Sequence, residues 1–265
     1  MSYETILFEA SSQVATITLN RPAAMNSFNR QMMEEFRDVW QKIAWDDDIH
    51  VVVLRAAPGK AFCTGADVKQ ETGSRPTVNL DNVWHCYDPG NDLGPKSQNC
   101  WKPMICAVHG MAAGGAFYWL NEADIIIASE DATFFDPHVT YGSTSALEPI
   151  GMVYRMPLQD VLRMVLLSND ERMTADYAKT IGLVSEVVAL AELWTRAHEL
   201  ALQIAAKPPA AVQGTIKAIW QSLDMPRSVA LANGLKYPQI GNPLGVREVD
   251  RAAMMADKAK KYSLR

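Results

Sequence analysis

Residues 104–121 read MICAVHGMAAGGAFYWLN and decide which class of fold this chain can adopt. The first five, Met104–Val108, are apolar, as is typical of a strand that is buried on both faces of a sheet. Gly110 to Gly115 then turn the chain, and Ala116–Asn121 is predicted to begin a helix. Glycines let backbone approach a ligand closely, and a helix N-terminus presents N–H groups, so the turn is a candidate oxyanion site. The alternative is a tight turn in which the glycines serve packing alone.

The strand-and-helix pattern continues on both sides of this stretch. Predicted strands are Thr5–Phe8, Val14–Leu19 (with Ser11-Ser12 as the hairpin turn before it), Val51–Leu54, Asp124–Ala128 and Ala132–Phe135. This alternation predicts an α/β layered fold with parallel pairing. Beyond residue 144 the predicted helices are Leu158–Leu167, Ala189–Ala206, Ala210–Leu223 and Val246–Lys261, and only Leu183–Val188 is predicted as a strand. Residues 70–100 are predicted to be largely irregular, with some helix at Val78–Cys86.

Length, charge and cysteine usage exclude several classes of protein. The chain has 265 residues and a net charge of −5, from 25 basic and 30 acidic residues. An acidic balance argues against a nucleic-acid partner. The most apolar run, Met111–Leu120, is about half of the roughly 20 residues that a membrane-spanning helix needs, and a signal-peptide pattern is absent. Four cysteines without metal-ligand spacing argue against zinc and disulfides. We therefore expect a cytoplasmic protein with neither a metal nor a membrane partner.

A second segment, AFCTGAD at residues 61–67, also follows a predicted buried strand and a turn. Gly65 again permits a close backbone approach. Cys63 is a candidate nucleophile, but no histidine lies near it in sequence to activate the thiol. The interpretation of Cys63 as a small buried apolar residue is therefore favoured.

Together, the two segments resemble the enoyl-CoA hydratase/isomerase, or crotonase, superfamily. The matching motifs, in order between Leu19 and Ser185, are LNRPxxxNSF (19–28), FxxGAD (62–67), HGxxxGG (109–115), ADI with ATF (123–125 and 132–134) and TAxxAxxxGLVS (174–185). The resemblance implies an α/β, crotonase-like spiral of β-β-α units over residues 1–203. It also implies a C-terminal all-helical trimerisation region over residues 204–265, in a homotrimer or a dimer of trimers.

The resemblance further implies an acyl-CoA thioester as ligand. By position, the backbone N–H groups of Cys63 and Gly115 would hold the thioester carbonyl oxygen. One such donor is worth ~3 kcal/mol of an activation barrier. The implied contacts to CoA are Ala24, Met25, Ala61, Gly65, Ala66, Asp67, Val68 and Gly114. Coenzyme A would enter as part of the substrate, and no permanently bound cofactor is expected.

The sequence departs from the family where its hydratases carry two catalytic glutamates. Counting along the motifs places Tyr118 and His138 at those positions, with Glu122 one turn further along the helix and expected to face much the same side. Histidine titrates near neutrality and suits acid or base work. Tyr118 can donate to an oxyanion, or transfer a proton if its pKa falls. Asp136 is a candidate to orient His138, although an i, i+2 pair on a strand points to opposite faces. Glu148 is a further candidate carboxylate.

Three of these side chains also have a structural interpretation. Tyr118 is a candidate for a pocket wall, His138 for the cap of a turn, and Glu148 for a solvated helix end. The favoured hypothesis is a lyase- or isomerase-type enzyme that hydrates or isomerises an acyl-CoA through Tyr118 and His138. A second hypothesis is a hydrolase of a thioester or of a β-diketone C–C bond, which Asp136-Pro137-His138 loosely resembles. A non-catalytic acyl-CoA-binding protein and a pocket that no longer takes CoA are the third and fourth hypotheses.

Overall fold

The computed structural model describes residues 3–69 and 87–256 of the chain. The helix predicted at Val78–Cys86, and the end of the one predicted at Val246–Lys261, lie outside the described residues. The chain divides into two compact units, Met1–Ile204 and Ala205–Arg265. Within the described residues, no helix has the length and apolar character that crossing a membrane requires.

The first unit is built on two sheets. Its strands are β1 (Ile6–Ser11), β2 (Val14–Leu19), β3 (Val51–Ala56), β4 (Ala61–Cys63), β5 (Met104–Val108), β6 (Met111–Ala113), β7 (Ile125–Ser129), β8 (Thr133–Phe135), β9 (Met173–Thr174) and β10 (Glu186–Val188). A six-stranded sheet has the order β1-β2-β3-β5-β7-β10, and a four-stranded sheet the order β4-β6-β8-β9. Each of three successive strand pairs, β3/β4, β5/β6 and β7/β8, adds one strand to each sheet. The chain therefore advances as a spiral.

Pairing is parallel from β2 through β3, β5 and β7 to β10, and also from β4 through β6 to β8. Only the β1–β2 hairpin and the β8–β9 pair are antiparallel among the strands that the structure describes. The prediction of an α/β layered fold with parallel strands is confirmed. Because parallel strands of one sheet end at the same edge, the loops that follow β4, β6 and β8 meet there.

Helices complete the first unit and make up the second. In the first unit they are α1 (Arg30–Trp45), α2 (Gly90–Leu93), α3 (Phe117–Glu122), α4 (Leu147–Met152), α5 (Leu158–Leu167), α6 (Ala175–Thr180) and α7 (Leu193–Ala205), which ends at the unit boundary. The second unit has α8 (Pro209–Ser222), α9 (Arg227–Gly234), α10 (Lys236–Gly245) and α11 (Arg251–Ala256). The side chain of Asn29 caps α1 by accepting a hydrogen bond of 3.0 Å from the Met32 N–H.

An aromatic cluster fills the core beneath the loops. Trp119 of α3 lies 4.9 Å from Phe36 of α1, 6.1 Å from Phe28 and 6.5 Å from Phe62 of β4, measured between ring centroids. All four rings are buried. Edge and tilted aromatic contacts at these distances are favourable, and each ring fixes the next in a close-packed interior. The cluster therefore ties α1, β4 and α3 together.

Some predicted boundaries differ from the structure. The hairpin turn lies at Ser12-Gln13, where φ is +52° and +65°, rather than at Ser11-Ser12. The prediction of Leu183–Val188 as the only late strand is wrong, because β9 also pairs with β8. A strand of two residues is too short to show alternation. The helix predicted from Ala189 begins as α7 at Leu193, since a 3-10 turn precedes it.

Candidate active site

Two glycine turns, one after β4 and one after β6, come into direct contact. Gly65 has φ +84°, and a Cβ added to it would lie 2.9 Å from the Gly115 nitrogen. A Cβ on Gly115 would lie 2.5 Å from the Phe28 ring and 3.2 Å from the Gly65 Cα. No side chain fits at either position. Because both positions are glycine, the backbone that follows Cys63 can lie directly against the backbone at Gly115.

A third segment, residues 21–28, is hydrogen-bonded along the first turn. The Phe28 N–H donates to the Gly65 carbonyl at 2.9 Å, and the Asp67 N–H donates to the Phe28 carbonyl at 2.8 Å. Phe28 and Ala66 thus form an isolated parallel bridge. The segment adds a short strand-like edge beside the glycine turns.

Side chains lock the same two segments together. The Arg21 guanidinium pairs with the Asp67 carboxylate at 2.8 Å, with both side chains largely buried. The Asn26 amide donates to the Ala61 carbonyl at 2.9 Å. Because Asp67 is engaged by Arg21, this carboxylate serves structure at the position where the sequence suggested a CoA contact.

The predicted CoA contacts lie along these segments and differ in exposure. Ala24 and Met25 are half-buried, Ala66 and Val68 are exposed, and Ala61, Gly65, Asp67 and Gly114 are buried. Met25 ends a 3-10 turn in the left-handed region, with φ +52°. The exposed positions and the half-buried ones belong to the two segments that the Arg21–Asp67 pair joins. Of the eight predicted contacts, Ala66 and Val68 are therefore the most accessible to a ligand, and the buried ones can contribute backbone only where a turn opens.

Cys63 is unsuited to nucleophilic chemistry. Its side chain is fully buried, and burial raises the pKa of the thiol to about 12. The sulfur accepts a hydrogen bond from the Gly65 N–H at 3.3 Å. A thiol that stays protonated at neutral pH is a poor nucleophile. What Cys63 offers to a ligand is its backbone.

Asp136 and His138 form a tight pair immediately after β8. Asp136 Oδ1 accepts a hydrogen bond of 3.0 Å from the His138 N–H and lies 2.9 Å from His138 Nδ1, which donates to it. Ser145 donates to the other oxygen at 2.9 Å. The expectation that an i, i+2 pair points to opposite faces is wrong here, because β8 ends at Phe135 and His138 is already in a helical turn.

The pair shifts the protonation of both partners. The hydrogen bond that His138 donates to Asp136 raises the pKa of His138 by more than burial lowers it. Burial alone would raise the pKa of Asp136, but the hydrogen bonds that it accepts from His138 outweigh this and hold the pKa below its usual value. The imidazole is therefore held in one orientation, with Nδ1 committed to the carboxylate and Nε2 left for other contacts.

Glu148 and Gly114 lie on the other sides of the His138 ring. Glu148 sits in the first turn of α4, and its Oε1 is 3.9 Å from His138 Nε2, beyond hydrogen-bonding distance. Burial raises the pKa of Glu148. A Cβ on Gly114 would lie 3.4 Å from the His138 ring. Asp136, His138 and Glu148 thus form a row that borders the Gly114–Gly115 turn.

Tyr118 of α3 approaches this row from the side of residues 87–93. Its ring lies 6.1 Å from that of Phe28, and a Cβ on Gly90 would lie 2.8 Å from Tyr118 Cδ1, so the backbone at Gly90 packs on the ring. Burial, and then the carboxylates of Glu148 and Asp88, raise the pKa of Tyr118 above its usual value. The condition set for proton transfer by Tyr118, a lowered pKa, is not met.

Glu122 does not belong to the site. Its carboxylate accepts hydrogen bonds from the Lys96 N–H at 2.6 Å and from the Ser97 hydroxyl at 2.7 Å. It faces the same side of α3 as Tyr118, as expected, since a Cβ on Gly94 would meet the Glu122 carboxylate as one on Gly90 would meet the Tyr118 ring, but its carboxylate is occupied by Lys96 and Ser97.

The sequence interpretation missed Asp88. Its Oδ1 accepts a hydrogen bond of 2.8 Å from the Gly90 N–H, which is an Asx-type turn. The run Asp88-Pro89-Gly90 is a recognisable turn signal, but nothing in it indicates that the turn packs on Tyr118, some thirty residues later.

Comparison with known proteins agrees with this architecture. The family model described as enoyl-CoA hydratase/isomerase matches residues 9–236. The (E)-benzylidenesuccinyl-CoA hydratase of Thauera aromatica is 34% identical over 235 residues, covering 89% of this chain and 88% of that protein. The short-chain-enoyl-CoA hydratase of Clostridium acetobutylicum is 30% identical over 232 residues, covering 88% and 87%.

Solved structures give the same result for the fold. An enoyl-CoA hydratase/isomerase from Mycobacterium paratuberculosis aligns with a TM-score of 0.84 at 34% sequence identity, covering 100% of both chains. The spiral sheet order, the glycine turns and the family match agree. The chain belongs to the enoyl-CoA hydratase/isomerase family and has the crotonase fold.

Proposed function

We propose that this protein is an enzyme that acts on an acyl-CoA thioester, with His138 as its proton-transfer group. The observation that carries the proposal is the Asp136–His138 pair, in which the imidazole of His138 borders the glycine turn at Gly114. Family membership supports the thioester as substrate. The row formed by Asp136, His138 and Glu148 supplies an acid–base system where the two glutamates of the family's hydratases are absent.

In this proposal the backbone N–H groups of Cys63 and Gly115 hold the thioester carbonyl oxygen. Contact between the two glycine turns supports it, because the two donors then lie on adjacent stretches of backbone. An enolate oxygen gains most from donors that are fixed before the reaction begins, and one such donor lowers the barrier by ~3 kcal/mol. Ala24, Met25, Ala61, Ala66 and Val68 are the proposed neighbours of the CoA moiety, which enters as part of the substrate.

Hydration is the reaction we favour. His138 Nε2 takes a proton from water, and the water oxygen forms a bond to the β-carbon of an enoyl thioester. The electron pair of the Cα=Cβ bond forms a double bond between the α-carbon and the carbonyl carbon, and the carbonyl π pair moves to oxygen, which gives the enolate. The α-carbon then takes a proton from an acid, for which Glu148 is the candidate because its raised pKa keeps it protonated more readily. Positioned acid–base groups of this kind contribute about 10²- to 10⁴-fold in rate.

Hydrolysis is the second candidate, and the same pair favours it. A histidine whose Nδ1 is held by a carboxylate is a general arrangement for activating water against a carbonyl carbon. Attack of that water on a thioester would release free CoA and a carboxylic acid. Attack on a β-dicarbonyl compound would break a C–C bond.

The products formed by the purified protein distinguish these reactions. A panel of enoyl-, β-ketoacyl- and aryl-substituted acyl-CoA thioesters is incubated with the protein and followed by mass spectrometry. A mass gain of one water supports hydration, and free CoA supports thioester hydrolysis. Thioesters that bind without turnover contradict the enzyme proposal and indicate a binding protein. If CoA thioesters at millimolar concentration fail to raise the melting temperature, the CoA pocket itself is contradicted.

A further inference from the structure

The Asp136 carboxylate beside His138 is fully buried, and its two oxygens have different partners. Oδ1 accepts both hydrogen bonds from His138, one from the backbone N–H at 3.0 Å and one from Nδ1 at 2.9 Å. Oδ2 accepts a hydrogen bond of 2.9 Å from the Ser145 hydroxyl, and no other donor among the described residues reaches that oxygen. A buried charge with an unused acceptor is costly. Ser145 therefore completes the hydrogen bonding of the carboxylate that holds the imidazole.

Ser145 ends a short loop that begins at His138. The backbone N–H groups of Tyr141 and Ser143 both donate to the His138 carbonyl at 3.0 Å, which closes the loop at its start. The hydrogen bond from Ser145 to Asp136 closes it at its end. Both ends of the loop are thus fastened to the Asp136–His138 pair.

The same loop leads directly into the helix that carries Glu148. Ser145 lies three residues before Glu148, which is in the first turn of α4. Glu148 Oε1 is 3.9 Å from His138 Nε2. The imidazole is fixed to the Asp136 carboxylate, and the chain entering α4 is fixed to the same carboxylate through Ser145. One carboxylate therefore positions both the proposed base and the proposed acid.

Ser145 differs from the two hydroxyl residues that precede it. Ser143 and Thr144 are exposed, whereas Ser145 is half-buried. Within the part of the chain that the structure describes, Ser145 is the one of the three whose hydroxyl has a hydrogen-bond partner. Hydrogen bonds from donors to an ionised carboxylate favour its charged form. Burial acts to raise the pKa of Asp136, and the hydrogen bonds from His138 and Ser145 more than offset it.

We propose that Ser145 is a positioning residue for the proton-transfer step, because its hydroxyl keeps the Asp136 carboxylate ionised and oriented and so fixes the His138 ring relative to Glu148. This inference rests on the proposed function, since it assumes that His138 transfers the proton.

A double-mutant cycle in kcat tests whether Ser145 acts through Asp136, with the best substrate of the thioester panel. Ser145→Ala should lower kcat about tenfold, the size of one hydrogen bond to a charged group, with KM unchanged. In the Asp136→Ala background the same change should lower kcat by less than about twofold, because the acceptor is already absent. Ser145→Thr keeps a hydroxyl and should restore most of the wild-type rate. Thr144→Val, which removes an exposed neighbouring hydroxyl, is the matched control and should behave as wild type.

A titration without substrate tests the hydrogen bond itself. NMR of the side-chain carboxyl carbon of Asp136, assigned with Asp136→Asn, should show a higher pKa in Ser145→Ala than in the wild type, because the charged form has lost a donor. His138 and Glu148, the titratable groups beside it, are followed in the same samples. Thr144→Val should leave the pKa of Asp136 unchanged. Loss of a purely structural contact would lower the melting temperature without moving this pKa.

Three results would overturn the inference. An equal loss of kcat from Ser145→Ala in both backgrounds would mean that Ser145 acts independently of Asp136. An unchanged kcat and an unchanged pKa of Asp136 in Ser145→Ala, with His138→Ala inactive, would reject the role of Ser145 and leave the proposed function standing. Full turnover by His138→Ala would instead reject the proposed function and this inference with it.

Two further measurements keep the test decisive. If Ser145→Ala does not fold, Ser145→Cys takes its place, because the thiol has a similar shape but is a weaker donor, and it should give a smaller loss of kcat in the same direction. If Asp136→Ala has too little activity for the cycle, the carboxyl titration decides, and an unchanged pKa of Asp136 contradicts the inference.

Discussion

At the scale of single residues, Asp136 controls the protonation of His138. The carboxylate raises the pKa of the imidazole through the 2.9 Å hydrogen bond to Nδ1. Asp136→Asn removes the negative charge and should lower the pKa of His138, so the ring loses its proton at a lower pH than in the wild type. NMR titration of the His138 ring signals measures this directly. An unchanged or raised pKa would contradict the role given to Asp136.

The Asp136–His138 pair also makes the free energy of unfolding depend on pH, because the pKa of His138 is raised in the folded protein. A histidine whose pKa is raised on folding stabilises the protein below its unfolded pKa, and this contribution is lost as the pH rises through the folded pKa. His138→Ala should therefore lower the free energy of unfolding more at pH 5 than at pH 8. Urea titrations at the two pH values test this, and an equal loss at both would contradict it.

Gly65 is required for two reasons that can be separated. Its φ of +84° disfavours any side chain, and a Cβ would also lie 2.9 Å from the Gly115 nitrogen. Gly182 has φ +88° with nothing within 4 Å, so it isolates the first reason. Gly182→Ala should cost about 1–2 kcal/mol of unfolding free energy, and Gly65→Ala clearly more. Gly65→Ala should also abolish thioester binding. Equal costs with binding intact would mean that the turns do not meet as described.

Single residues also show what the sequence can predict about the site. His138, Asp136 and Glu148 could be named from motif positions and residue chemistry, because all three lie close together along the chain. The orientation of Tyr118 and the presence of Asp88 could not. They depend on a contact between residues far apart in sequence, and no local pattern encodes such a contact.

At the scale of elements, the ion pair between Arg21 and Asp67 joins the segment at residues 21–28 to the turn after β4. Both side chains are largely buried, so replacing the Asp67 carboxylate removes the buried opposite charge that Arg21 contacts at 2.8 Å. Asp67→Asn should cost about 3 kcal/mol of unfolding free energy and should weaken thioester binding.

The Arg163–Glu171 pair is the matched control, since it has a distance of 2.6 Å but lies exposed. Glu171→Gln should have a much smaller effect on stability, because solvent and salt screen exposed pairs. Both variants are compared by urea denaturation. If Asp67→Asn is as mild as Glu171→Gln, the buried ion pair does not hold the two segments together.

Element boundaries were predictable where an apolar run ends abruptly. Val14–Leu19, Met104–Val108 and Leu158–Leu167 have the bounds that the sequence predicts, since turn or polar residues flank each of them. The two-residue strand β9 and the 3-10 turn before α7 escaped prediction. Both depend on pairing or packing with distant residues rather than on their own periodicity.

At the scale of the whole molecule, we propose that the chain assembles as a homotrimer or a dimer of trimers. In the second unit, Ile219, Leu235 and Ile240 are each at least 60% exposed, which is unusual for large apolar side chains in a helical segment. Multi-angle light scattering should give three or six times the mass of one chain. A monomer at micromolar concentration would contradict the assembly and leave that apolar surface unexplained.

The net charge of −5 illustrates the limits of global properties. It argues against a nucleic-acid partner, but it does not bear on a phosphate-bearing ligand such as CoA. A CoA site needs local backbone donors and a few basic side chains, whatever the overall charge balance.

The central claim is that His138 transfers a proton while backbone donors hold the thioester. Its most direct test is the steady-state rate of His138→Ala with the best substrate of the thioester panel, beside His198→Ala, an exposed histidine on α7. We predict that His138→Ala lowers kcat by about 10²- to 10⁴-fold with thioester affinity retained, and that His198→Ala is unchanged. Full turnover by His138→Ala would contradict the account.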